Sequence, residues 1–270
     1  MNTDQNADDA SYSIVPSVGH SVHFGVHRVG NVPFCVTNID AAVNWLTAAA
    51  KGQSAVSVRL ANAYCVALAE EDPVYGDLLR RAGVNFPDGT PVVWTMRAQG
   101  NAAARRVRGP SFFIRAIEEQ AATGLRPFFL GASGETLDLL TSVMTGAHPD
   151  LDIAGSYSPP FAPVSDEYID DCLNAIGTAA PDLVWVGLGT PKQDFVSTAL
   201  AERLGIPCIG VGAAFDFAAG TVREAPKFIQ NSGFEWAYRF ASEPRRLWRR
   251  YLVGNLSFLG AVKRYWRVNA

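Results

Sequence analysis

Residues 183–194, Leu-Val-Trp-Val-Gly-Leu-Gly-Thr-Pro-Lys-Gln-Asp, and residues 207–216, Pro-Cys-Ile-Gly-Val-Gly-Ala-Ala-Phe-Asp, share one grammar. In each, a short apolar run stops at a glycine turn, and polar residues suited to a helix start follow. An apolar run without alternation reads as a strand buried on both faces, which is the habit of parallel sheets. Working outward, strand-like runs occupy 33–37, 55–60, 85–87, 127–131, 151–155, 183–187 and 207–211. Patterns of helical period fall between them at 39–50, 74–82, 91–98, 111–122, 135–147, 165–179 and 192–204. This alternation predicts an α/β fold with a doubly wound, mostly parallel, Rossmann-like sheet.

Ligands of such sheets bind beyond the carboxyl ends of the strands, where helix N-termini leave backbone N–H groups available. Three turns have that character: 131–134 (Gly-Ala-Ser-Gly), 187–191 (Gly-Leu-Gly-Thr-Pro) and 210–212 (Gly-Val-Gly). They match neither the G-x-G-x-x-G fingerprint nor a P-loop, which argues against a dinucleotide or ATP-hydrolysing site.

The 270 residues are 48% hydrophobic and 18% charged, enough for one large core with an appendage. The formal charge of −3 is unevenly placed: residues 235–270 hold eight Lys/Arg against two Asp/Glu, and the rest hold fifteen against twenty-four. A basic end implies an anionic partner. Trp236, Tyr238, Trp248, Tyr251, Tyr265 and Trp266, interleaved with the arginines, favour an anionic membrane surface over nucleic acid. No apolar run approaches the roughly 20 residues that span a bilayer, so peripheral attachment is expected. Cys35, Cys65, Cys172 and Cys208 lie far apart in apolar contexts and read as reduced core residues. With a polar start that has no signal-peptide core, they predict a cytoplasmic protein on the inner face of the membrane. Three units are expected: a disordered tail at 1–28, an α/β core at 29–232 and a basic, aromatic, helical appendage at 233–270. His20, His23 and His27 belong to the tail, and glycines beside them disfavour a metal-binding helix.

Several short motifs in fixed order give the chain a family likeness. They are 84–89 (Val-Asn-Phe-Pro-Asp-Gly), 106–109 (Arg-Val-Arg-Gly), 129–131 (Phe-Leu-Gly), 187–193 (Gly-Leu-Gly-Thr-Pro-Lys-Gln), 210–216 with Ala219-Gly220, and 235–239 (Glu-Trp-Ala-Tyr-Arg) followed by Glu243-Pro-Arg245. Over roughly 29–251 the chain resembles the WecG/TagA/CpsF glycosyltransferases, family 26. The resemblance implies a GT-E-type, inverting, metal-independent transferase without a cofactor, which moves a sugar from a UDP-sugar donor to an undecaprenyl-diphosphate-linked saccharide. It implies that Asp88 is the catalytic base with Asn62 near it, and that Gln193 belongs to the same catalytic set. Arg106, Gly131, Gly187, Gly189 and Asp216 match substrate-binding positions, and Arg239, Arg246 and Arg249 match basic residues of the appendage.

The chemistry asks for the same groups. An acceptor hydroxyl loses a proton as it attacks the anomeric carbon, a task for one carboxylate, and the departing diphosphate needs cations or amides around it. Plainer readings compete. Asp88-Gly89 is a common turn pair, Asn62 suits a helix N-cap, Gln193 suits a first helical turn, and Asp216 suits a turn. Asp150-Leu-Asp152 has the D-x-D form of metal-bound transferases but reads as structural. Three positions depart from the family pattern: Leu60 replaces a threonine, Asp194 a glutamate and Glu224 an arginine. These departures lean toward an exopolysaccharide role and leave the sugar and acceptor open. Two other classes remain: a glycoside hydrolase pairing Asp88 with Asp194 or Asp216, and a non-catalytic membrane-docking module.

Overall fold

The computed structural model describes residues 24–81, 83–226, 229, 235–242 and 254–266. An antiparallel hairpin, β1 (Gly25–Val29) and β2 (Val32–Val36), opens the fold. Six parallel strands follow: β3 (Ser57–Ala61), β4 (Val84–Pro87), β5 (Pro127–Gly131), β6 (Gly155–Tyr157), β7 (Leu183–Gly187) and β8 (Cys208–Gly210), in the spatial order β4-β3-β8-β7-β5-β6. The chain builds one edge with β3 and β4 and the other with β5 and β6. It then returns with β7 and β8 to fill the centre, so the carboxyl ends of all six strands share one edge of the sheet.

Strand periodicity sorts side chains to two faces. Val58, Leu60, Val84, Phe86, Phe129, Trp185 and Ile209 pack with α1 (Ile39–Lys51), α5 (Gly109–Thr123), α6 (Gly134–Ala147) and α9 (Ala214–Ala218). Edge-on ring contacts run through that layer, including Phe112 and Phe113 with Trp185 and Phe113 with Phe215. On the other face Phe128, Leu130, Val184, Val186 and Cys208 meet α7 (Asp166–Gly177) and α8 (Lys192–Leu204). The hairpin covers the remainder of that face with α2 (Ala63–Glu71), α3 (Pro73–Arg81) and α4 (Thr90–Ala98). The sheet is thus doubly wound, as its alternation of runs predicts.

The sequence expectations shift in four places. Residues 25–28, assigned to the tail, belong to β1; residues 1–23 lie outside the described set. Residues 33–37 pair in the hairpin and not in the main sheet. The strand expected at 151–155 forms at Gly155–Tyr157, because Asp150 and Asp152 face solvent and Gly155 is where the backbone can approach the Phe128 ring: a Cβ there would lie 2.9 Å from it. Helix α2 was not foreseen. Its sequence is apolar nearly all round, since it is covered by both the body and the helix Gly254–Trp266, whose Phe258 and Ala261 join the same cluster.

That last helix therefore packs on the body. Arg264 reaches Glu70 at 3.0 Å and Ser257 reaches Glu71 at 2.7 Å. No helix among the described residues is long and apolar enough to cross a membrane.

Candidate active site

Backbone and side-chain contacts connect the turns along the carboxyl edge. Asp88 follows β4, and its N–H donates to Ala61 at the end of β3. Asn62 begins the neighbouring turn, where its Oδ1 accepts from the Tyr64 N–H at 3.0 Å and caps α2. A Cβ placed on Gly89, which has φ +116°, would lie 3.3 Å from Asn62 Cβ, so the two turns touch. Gly109 opens α5 between them and the centre of the sheet. A Cβ there would sit 3.3 Å from Leu60, 3.6 Å from Asp88 Oδ2 and 3.7 Å from the Val211 carbonyl after β8.

Farther along, Gln193 joins β8 to β7. Its Oε1 accepts from the Gly189 N–H at 3.0 Å, and its side chain lies against Gly210 and Gly212. The residue is 4% exposed, so its amide braces the glycine turns. Gly187 accepts from the Ala132 N–H, and Gly131, at φ +111°, lies so close that a Cβ would meet the Gly187 carbonyl at 2.6 Å. Ser158 closes the row by donating to the Ala132 carbonyl at 2.7 Å. Asp216 lies half-buried in α9, the short helix that follows the Gly212 turn.

Charge concentrates at the β4 end. Arg106 approaches Asp88 Oδ1 at 3.4 Å and Glu235 Oε2 at 2.8 Å through the same Nη2. Asp88 and Arg106 are about a fifth exposed, at 22% and 23% of their side-chain surface. Behind them Arg108 grips Glu235 with Nε at 3.2 Å from both oxygens and Nη2 at 3.0 Å from Oε1, while Glu224 lies 3.4 Å from the same Nη2. Glu235 opens the helix Glu235–Ser242, which brings the appendage to the edge of the sheet. Neither Arg108 nor Glu235 was assigned a role from sequence. Both stand inside the family-like motifs, and the signal that would have paired them is two arginines at alternate positions and one glutamate in a motif far along the chain. Arg239 lies on the same helix, with its side chain outside the described set, and Arg246 and Arg249 lie outside the described residues altogether.

Asp194 is placed elsewhere. It accepts from the Tyr75 hydroxyl at 2.8 Å within a buried network, where Arg59 donates to Asn85 at 3.1 Å and to Thr198 at 3.4 Å. Burial pulls the Arg59 guanidinium down to about 10 while the Asp194 charge pulls it back up, so it stays cationic at neutral pH. Desolvation and the neighbouring Asp194 raise the Tyr75 phenol. Asp194, only 2% exposed, is thus the structural countercharge of Arg59. This removes one carboxylate from the hydrolase alternative. Asp152 pairs with Arg126 at 2.7 Å on the surface, and His27 bonds Gln99 and Asn101 inside the hairpin region. Among the described residues no three His, Cys, Asp or Glu side chains converge as a metal site.

The profile of the glycosyl transferase WecG/TagA/CpsF family matches residues 27–270. The chain belongs to the WecG/TagA/CpsF family. Two curated relatives are named N-acetylglucosaminyldiphosphoundecaprenol N-acetyl-beta-D-mannosaminyltransferase. The one from Bacillus spizizenii (strain W23) is 29% identical over 75% of this chain and 76% of its own. The one from Bacillus subtilis (strain 168) is 28% identical over 83% and 86%. Among solved structures, a variant arylmalonate decarboxylase in a sulfate-associated form covers 70% of this chain and 79% of its own, at a TM-score of 0.31 and 14% identity. As a member of the WecG/TagA/CpsF family the chain is a glycosyltransferase.

Proposed function

We propose that the protein transfers a sugar from a UDP-sugar to an undecaprenyl-diphosphate-linked saccharide, with inversion and with Asp88 as general base. The observation that carries this reading is a half-buried carboxylate at the end of β4, beside Arg106, at one end of a continuous row of glycine turns. The acceptor hydroxyl gives its proton to Asp88 as its oxygen bonds to the anomeric carbon. The bond from that carbon to the diphosphate oxygen breaks on the opposite face, and the electron pair leaves with the diphosphate. Turn amides after β5 and β7, with arginines of the site, meet the charge that develops there. Asn62 and Gln193 hold the turns, and Arg239, Arg246 and Arg249 are assigned to the donor side by family likeness alone.

The two Bacillus relatives' names support a lipid-linked acceptor and make N-acetylmannosamine the first donor sugar to try. The docking surface proposed for the membrane lies on the helix Gly254–Trp266. Leu256 and Leu259 are 73% and 62% exposed on the side away from Phe258 and Ala261, and Lys263 and Trp266 continue that stripe. An apolar stripe with a basic and an indole end suits the headgroup zone of the inner leaflet. A metal-independent reaction is part of the proposal, and transfer is expected to persist in excess EDTA. Loss on chelation that Mg²⁺ or Mn²⁺ restores would reassign the diphosphate to a cation. The experiment for the whole reading is transfer to a short-chain lipid-linked acceptor across a panel of UDP-sugars.

A further inference from the structure

We propose that Glu235 is a positioning residue for Asp88: its carboxylate holds Arg106 back from full closure on the base and so ties the competence of Asp88 to the helix Glu235–Ser242. The inference rests on the reading of Asp88 as base. One nitrogen, Arg106 Nη2, serves two carboxylates unequally, at 2.8 Å from Glu235 and 3.4 Å from Asp88. The first is the length of a full charge-assisted hydrogen bond, and the second is well beyond it.

Glu235 can hold that nitrogen because it is itself fixed. Its side chain is 7% exposed, and the buried Arg108 fork binds both of its oxygens. The arrangement divides the guanidinium charge. Arg106 stays near enough to Asp88 to orient Oδ1, while Oδ2 lies on the side of Gly109, where the missing side chain leaves room 3.6 Å away. Were Glu235 neutral, Arg106 would close on Asp88, and a carboxylate locked in a tight ion pair is a poorer proton acceptor. A helix anchor alone needs Arg108 and Glu235. The bond from Arg106 is the part that an anchoring role does not require.

Three variants test this in the full-length protein, with a UDP-sugar donor and a short-chain lipid-linked acceptor. Glu235→Gln keeps the size and removes the charge; kcat should fall about tenfold or more with donor KM within about twofold of wild type. In an Asp88→Asn background the same change should cost nothing further, because both act on one proton transfer. Wild-type kcat in folded Glu235→Gln protein, parallel changes in kcat and KM, or additive losses in the double variant would each overturn the proposal. If Glu235→Gln does not fold, Glu235→Asp carries the test, since it keeps the buried countercharge and draws the carboxylate back by one methylene. It should lower kcat several-fold at wild-type Tm, and wild-type kcat overturns the claim. Near-normal turnover in Asp88→Asn alone sinks the base reading itself, a different result from additivity.

Discussion

Asp88 is positioned by backbone before side chains act on it: its N–H is tied to Ala61, and the next residue, Gly89, takes φ +116° so that the chain can turn into α4 beside Asn62. Asp88→Asn should lower turnover by about 10²-fold or more while donor affinity, read by calorimetry, stays similar. The turn pair was visible in the sequence, but its ionic surroundings were not, since Arg106 and Glu235 are 129 positions apart and no local pattern joins them. The same limit explains Asp194. The hydrolase alternative offered it as a partner of Asp88, whereas the fold places it with Arg59 and Tyr75 behind the sheet. Asp194→Leu should therefore destabilise by about 3–5 kcal/mol, read from urea unfolding, because it strands a buried guanidinium. Gly131→Ala meets the Gly187 carbonyl at 2.6 Å with φ +111° and should cost at least about 1–3 kcal/mol of the same stability. The four cysteines follow their apolar contexts as expected. All four are buried thiols, and burial pushes Cys35 up to about 12 and Cys172 up to about 11. Alkylation at pH 8 should spare them in the native protein and reach all four after denaturation.

Elements with one exposed face were legible from their period, as α1, α6 and α7 were, and the apolar runs 183–187 and 127–131 match β7 and β5 residue for residue. Elements covered on two sides were not. Helix α2 lacks a polar face because the last described helix packs against it, so the very contact that hides it is invisible locally. That contact also changes how the appendage must be tested. Phe258 and Ala261 support the body, so removing the end of the chain would uncover a core; Phe258→Ala should cost about 3–5 kcal/mol. Leu256 and Leu259 face outward, and replacing both with Asn should shift stability by no more than about 1 kcal/mol while weakening sedimentation with anionic liposomes several-fold. Unchanged sedimentation would move the docking surface elsewhere.

Across the whole molecule, a sheet wound on both faces gathers turns from β3, β4, β5, β7 and β8 at one edge, and the helix Glu235–Ser242 brings its own carboxylate to that edge. With Asp88 as the proposed base, an edge that receives Glu235 from the helix before an exposed apolar stripe suits the proposed membrane-held acceptor. The fold class was readable from alternation, and the edge from its glycines; the joining of Glu235 to Asp88 through Arg106 depends on tertiary contacts that only the folded chain makes. The most direct measurement is release of UDP from UDP-N-acetylmannosamine, and from a panel of other UDP-sugars, with and without an undecaprenyl-diphosphate-linked saccharide or its short-chain analogue. The expected result is release with at least one donor that depends on the lipid-linked acceptor and falls about 10²-fold or more in Asp88→Asn. Release at the same rate with water alone, or acceptor-dependent transfer undiminished in Asp88→Asn, would contradict it.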